Sequence, residues 1–251
     1  MKIECVVHTD KGKVRSENED NFFVKNKYLK GESDFKNSFY IKTPCWLAVF
    51  DGMGGESAGK EASFVSAKAL NDFTKFFKRK DVDDFIDYAN CRVKEFEEKN
   101  RCKSGSTCAL AYIEKTGDIV FANVGDSRIY GFDGISLTQL SVDHTQAQLL
   151  LDAGIFTAEQ AAGSSQKHSL IQFLGVNSEY KIKAHKLKVK CKDFKSFLLC
   201  SDGLTDMLTD AEIADIMRGK ALNDAAEELM RCSLNKGGRD NITIVLFKSL
   251  D

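Results

Sequence analysis

Trp46-Leu-Ala-Val-Phe50 runs directly into Asp51-Gly-Met-Gly-Gly55, and the reading of the whole chain turns on that junction. Five apolar residues bounded by turn chemistry predict a buried strand at 46–50. The strand stops abruptly at an acid flanked by glycines. The same grammar recurs elsewhere. Phe197-Leu-Leu-Cys200 ends at Ser201-Asp-Gly203, and Phe121-Ala-Asn-Val124 ends at Gly125-Asp-Ser127. Gly237-Gly-Arg-Asp-Asn241 directly precedes the apolar stretch 242–247.

Working outward, strands are expected at 3–8, 21–24, 46–50, 107–113, 119–124, 127–132, 196–200 and 241–247. Tight turns such as Lys115-Thr-Gly-Asp118 and Asp133-Gly134 join several of them, which implies antiparallel pairing, because parallel pairs need long crossovers. Helices are expected at 57–77, 82–100, 210–217 and 222–232. In the first, Ala62, Val65, Ala69, Phe73 and Phe76 recur at steps of three and four, the mark of a buried stripe. Strands and long helices arrive in separate blocks, so the class is α+β with antiparallel sheets. Proline occurs only at position 44, and no low-complexity linker or repeat breaks the chain, so residues 1–251 read as a single domain.

Composition limits the partners. With 36 basic and 37 acidic side chains, the net charge of -1 gives no general attraction to nucleic acid or anionic membrane. Residues 1–10 lack the apolar core of a signal peptide, and no apolar run could cross a bilayer, so a cytoplasmic location is expected. The eight cysteines are scattered and form no close pairs at zinc spacing, so neither disulfides nor zinc are expected.

An acid at a strand end is held by rigid backbone at the rim of a core, and a neighbouring glycine lets other backbone approach closely. Several such acids brought together would repel one another unless cations lay between them. Carboxylates and carbonyls without a His/Cys cluster suit magnesium or manganese better than zinc. Taken singly, each acid has a plainer reading: Asp-Gly is a common turn, Asp126 could pair with Arg128, and Asp240 could cap a turn.

Seven segments, in order along nearly the whole chain, resemble the metal-dependent protein phosphatase family, type 2C, in its compact bacterial form. They are Asp10-Lys-Gly-Lys-Val-Arg-Ser-Glu-Asn-Glu-Asp20, Phe50-Asp-Gly-Met-Gly-Gly55, Gly105-Ser-Thr107, Ala122-Asn-Val-Gly-Asp-Ser-Arg128, Asp143-His-Thr145, Ser201-Asp-Gly-Leu204 and Arg239-Asp-Asn-Ile242. The resemblance implies a four-layer α-β-β-α sandwich, two antiparallel sheets flanked by helix pairs, with the site at one end. It implies hydrolysis of phosphoserine and phosphothreonine monoesters on proteins by a hydroxide bridging two Mn2+ or Mg2+ ions, without a phosphoenzyme. By position, Asp51 matches the bridging aspartate, with the carbonyl of Gly52 on the first metal. Asp202 and Asp240 match ligands of the second, and Glu19 an acid that reaches it. Asp126 matches a ligand of a third, weaker metal that shares Asp202. Asp206, one helical turn beyond Asp202, could face the same site. Arg15 matches the phosphate-gripping arginine, and Asp20 and Asp143 match supporting acids. Phosphorylated proteins, a cognate kinase and its targets are the implied partners, with a monomeric chain.

The chain departs from the family in two places. Many members carry a histidine where Met53 stands, and methionine cannot protonate a leaving oxygen; His144 is a candidate for that role, against a structural histidine in a turn. Residues 146–175 correspond to the variable flap beside the cleft. A helix at 145–153, small residues at 161–165 and Lys167-His168 fit a mobile lid, although the family usually has Arg-Asn at the latter pair. Three other readings compete with this one. Gly54 to Lys60 has the spacing of a phosphate-binding loop but continues with Glu61 where Ser or Thr should hold magnesium. A catalytically weak phosphatase-fold regulator that binds a phosphoprotein partner would normally have lost metal-binding acids. A hydrolase of small phosphorylated molecules would need an enclosed pocket, and no segment argues for one.

Overall fold

A computed structural model of the chain describes residues 1–55, 58–77, 81–176 and 181–250. One sheet runs in the order β3 (Phe35–Lys42), β1 (Lys2–Asp10), β12 (Ile242–Ser249), β11 (Ser196–Cys200), β8 (Arg128–Phe132), β9 (Leu137–Gln139). The second runs β10 (His185–Lys190), β7 (Asp118–Val124), β6 (Cys108–Ile113), β4 (Cys45–Gly54), β2 (Asp20–Val24), with β5 (Ser104–Ser106) paired to the far end of β4. The strand pairings are antiparallel. Helices α1 (Ala58–Phe76) and α2 (Val82–Asn100) cover the second sheet; α6 (Asp210–Met217) and α7 (Leu222–Asn235) cover the first. This is the four-layer α-β-β-α sandwich that the family resemblance implies.

The layering explains why the central strands read as continuous apolar runs. Successive side chains of a strand point to opposite faces, and here both faces are dry. In β4, Leu47 and Val49 enter the core between the sheets, whereas Trp46, Ala48 and Phe50 pack under α1 and α2. In β12, Val245 and Phe247 face the inner core, and Ile242, Ile244 and Leu246 face α6 and α7. Fully burying each such side chain contributes about 1.5–3 kcal/mol.

The expected strands and helices are present, with differences that have physical causes. The edge strands β3 and β10 escape the apolar criterion because only one face of each is covered: His185-Lys-Leu-Lys-Val-Lys190 alternates half-buried and exposed residues along its length. Charged edge strands of this kind resist pairing with other chains. The last helix runs on to Asn235, past the expected 232. Within residues 146–175, α3 (Gln146–Asp152) is capped by Thr145, and α4 (Ala158–Gly163) follows it. The expected start of the first helix, Ser57, lies outside the described residues. The cysteines are free thiols, and no described helix is long and apolar enough to cross a membrane.

The strand register positions the acids. Asp10 pairs with Ile242, Cys200 with Ile244, and Asp20 with Asp51 across β2 and β4. Val124 pairs with Cys108, so the turn carrying Asp126 reaches the same end. Segments separated by up to 230 residues thus deliver their acids to one rim of the sandwich.

Candidate active site

A cleft of about 630 Å³ opens at that rim. It is lined by Glu19, Asp51, Asp126, Asp202, Asp206 and Asp240, with Arg15, Gly52, Met53 and His168 among them. Asp51 stands on β4 just beyond its apolar run. Its N–H donates to Thr107 Oγ1 at 2.9 Å, and its carbonyl accepts the Thr107 N–H at 2.8 Å. Thr107 Oγ1 also shares a 2.6 Å hydrogen bond with Ser127 Oγ, which ties the Asp51 strand to the Asp126 turn.

Two glycines allow the backbones that carry the acids to touch. A Cβ on Gly52 would lie 2.0 Å from the Gly59 carbonyl oxygen and 2.6 Å from that of Glu19. That close approach lets the start of α1 meet β4, and the Glu19 carboxylate accepts the backbone N–H of Lys60 from the helix start. A Cβ on Gly203 would lie 2.0 Å from the Asn241 carbonyl oxygen, so only glycine permits Asp202 and Asp240 to sit on abutting segments. Asp202 opens the short helix α5 (Asp202–Thr205), and the N–H of Asp206 returns to the Asp202 carbonyl at 2.8 Å.

Asn241 joins the segments. Its side-chain amide donates to the carbonyls of Lys11 and Glu17, at 2.9 and 2.8 Å, and accepts the Glu19 N–H at 2.8 Å. Asp20, buried behind the cleft, accepts hydrogen bonds from Ser201 Oγ at 2.6 Å and Thr243 Oγ1 at 2.7 Å. Arg15 stands half exposed, with Nη2 2.7 Å from Asp240 Oδ2.

Burial and mutual repulsion raise the proton affinity of these acids. Burial pushes the Asp51 carboxyl well above the usual carboxylate range, and the fields of Asp20, Asp202, Asp126 and Asp240 push it further. Asp126 is raised by burial, then by Asp202 and Asp143. Burial lifts Asp20 to about 7 against the pull of its Ser201 and Thr243 hydrogen bonds. Glu19 is raised by burial, with Arg15 opposing. Such a cluster is most stable with added positive charge among its oxygens.

Besides Asp20, two more residues named from the sequence lie outside the cleft lining. Asp143 is not in the cleft: it takes a bidentate hydrogen bond from Arg128, with Nη2 to Oδ2 at 2.7 Å, and braces the turn behind Asp126. His144, the candidate proton donor, does not line the cleft. The ring is buried outside the cleft lining, and its Nδ1 accepts the Gly125 N–H at 3.3 Å. The imidazole that does face the cleft is His168, in the 3-10 turn Ser165–His168. Its Nδ1 lies 3.3 Å from Asp202 Oδ2 and its Nε2 3.4 Å from Asp206 Oδ2, while Lys167 Nζ is 2.9 Å from Asp206 Oδ1. The hydrogen bond to Asp202 raises the His168 pKa against the opposing effect of burial, and the charge of Asp206 adds to the rise. The only sequence signal was a basic pair in a segment of small residues. Lys60, the lysine of the rival phosphate loop, places Nζ 3.5 Å from Glu17 Oε1.

Residues 6–149 match the family described as Protein phosphatase 2C. The serine/threonine phosphatase stp of Listeria welshimeri is 32% identical over 248 residues, covering 95% of this chain and 92% of that protein. The crystal structure of the Mycobacterium tuberculosis serine/threonine phosphatase PstP/Ppp superposes with a TM-score of 0.81 at 25% identity, covering 99% of both chains. The catalytic domain of the serine threonine protein phosphatase PstP in complex with 2 manganese ions superposes with a TM-score of 0.79 at 25% identity over 100% of each chain.

Proposed function

The chain belongs to the protein phosphatase 2C family, and from that premise we propose that it hydrolyses phosphoserine and phosphothreonine monoesters on proteins at the acid-lined cleft, by direct attack of water. The observation that carries the reading is the convergence of Asp51, Asp126, Asp202 and Asp240, from four separate segments, on one cleft with Arg15 at its edge. The donor set fits hard divalent cations: carboxylate oxygens crowd together and hold protons too tightly for an acid site left to itself. Asp51, with the Gly52 carbonyl, and the pair Asp202 and Asp240 with Glu19 would hold two Mn2+ or Mg2+ ions, and Asp126 with Asp202 a third. When bound, such ions lower the pKa of water toward neutrality and offset charge on phosphoryl oxygens.

The chain's own residues do the rest. Arg15 presents a planar fork of donors suited to two phosphoryl oxygens, and its contact with Asp240 keeps that fork beside the acids. Asn241 and Thr107 hold the acid-bearing backbones in register, so little reorganisation is needed when charge develops. Met53 offers no proton, so the departing alkoxide takes its proton from water in the open cleft. Residues 146–175 act as the flap over this cleft within a single domain, and monomeric chains act on a kinase and its targets.

The test is phosphate release from a phosphothreonine peptide with manganese, magnesium or chelator. Release restored to chelated protein by manganese is the expected result. Arg15→Ala should lower kcat/KM about 10- to 100-fold, since hydrogen bonds to charged groups contribute about 1.5–3 kcal/mol. A wild-type protein that binds metal yet releases no phosphate would leave a phosphoprotein-binding regulator as the function.

A further inference from the structure

We propose that His168 supplies an imidazole ligand from the flap to a cation held by Asp126 and Asp202, with Asp206 orienting the ring from behind. The inference rests on the phosphatase reading but concerns a nitrogen donor that an all-oxygen site would lack.

Three observations carry it. Ligand atoms of Asp126, His168 and Asp202 all lie within 4.8 Å of one another, so one ion could reach all three. They arrive from three separate places: the turn after β7, the flap's 3-10 turn and the start of α5. The two ring nitrogens also have different neighbours. Nδ1 faces Asp202 at 3.3 Å, on the side of the cluster, and Nε2 faces Asp206 at 3.4 Å, on the other side. A carboxylate on the far nitrogen is the usual means of fixing the tautomer and direction of a metal-binding histidine. Lys167, 2.9 Å from the second Asp206 oxygen, holds that carboxylate in place.

Two consequences follow from the donor chemistry. Imidazole favours manganese or zinc over magnesium, so this position would discriminate among cations that carboxylates alone treat alike. The ligand also belongs to the flap, so binding the ion fastens the flap to the rim acids, and loss of the ion frees it. Cation supply would then set how readily a phosphoprotein enters the cleft.

The alternative is that the imidazole is itself the cation, a bridge between Asp202 and Asp206 that takes an ion's place. The two predict opposite effects of removing it. Manganese binding to the full-length protein, followed by electron paramagnetic resonance, should give a weak class of sites beside the tighter core ions. The weak class should show nitrogen modulation in pulsed spectra. His168→Ala should abolish the modulation and weaken that class about 10-fold or more, and Asp206→Asn should weaken it within the 10- to 100-fold range found for groups that orient ligands. Lys167→Ala should keep the nitrogen signal. His168 is half exposed on the flap, so its removal leaves the core intact. No nitrogen modulation in a wild type that binds core manganese and hydrolyses phosphopeptide would overturn the proposal and leave the phosphatase reading standing. Tighter manganese binding in His168→Ala would overturn it in favour of the bridging cation. A chain that neither binds manganese nor hydrolyses the peptide would remove both readings.

Discussion

Asn241 is an uncharged side chain on which the cleft's geometry depends. It is buried, and its amide satisfies two carbonyls and one N–H of the loop that carries Arg15 and Glu19. Asn241→Ala would leave those groups without their partners, at about 1–3 kcal/mol for each that water cannot reach. Its thermal midpoint should fall by several degrees, and phosphatase activity should fall further than stability at assay temperature explains; an unchanged midpoint would show that the loop is held by other contacts. At this scale the sequence was only partly legible. Asp51, Asp126, Asp202 and Asp240 announced themselves because each interrupts or adjoins an apolar run. Asn241 and Thr107 carry no such mark, because their importance lies in whom they touch. His168 was visible only as half of a basic pair, and His144 looked available because a sequence cannot show that the ring packs against Gly125 outside the cleft lining.

Among the elements, legibility followed burial. Strands covered on both faces, such as β4 and β12, read plainly, since their residues are apolar whichever way they point. β3 and β10 lie at sheet edges, and their many polar residues, with lysine at every second position in β10, resemble loop composition as much as strand. Short pieces such as β5, β9 and α5 are set by tertiary pairing and have too few residues for periodicity to speak. Helix starts were better marked. Thr209 caps α6 in a reciprocal arrangement with Glu212, each side chain accepting the other's backbone N–H. Thr209→Ala should cost about 1 kcal/mol, which lowers the melting temperature by about 2–4 °C in a chain of this size, and should leave phosphopeptide hydrolysis at wild-type rate. A large loss of activity would mean that α6 positions Asp202 or Asp206 more directly than its packing implies.

Over the whole molecule, antiparallel register turns scattered acids into one charged rim, and the fold carries the electrostatic cost of that concentration. Asp20 illustrates the sign: its folded-state pKa near 7 exceeds the usual 3.8, so the folded state binds the proton more tightly than the unfolded chain. Stability from that proton is present at low pH and is lost as pH rises through about 7; Asp51 and Asp126 shift in the same direction. Metal-free protein should therefore melt at a lower temperature at pH 8 than at pH 6, and manganese should raise the midpoint more at pH 8, where protons no longer compete for the oxygens. Equal stabilisation by manganese at both pH values would place its binding away from these acids.

The most direct measurement is phosphate release from a phosphothreonine peptide across a manganese titration, wild type beside Asp51→Asn. The substitution keeps the size of the side chain and removes a carboxylate at the centre of the cluster. Manganese-dependent release by the wild type is expected, with a loss of at least about 100-fold in the variant, comparable to removing a preorganised charge-stabilising group at an active site. Equal rates for the two proteins at every manganese concentration would contradict that expectation.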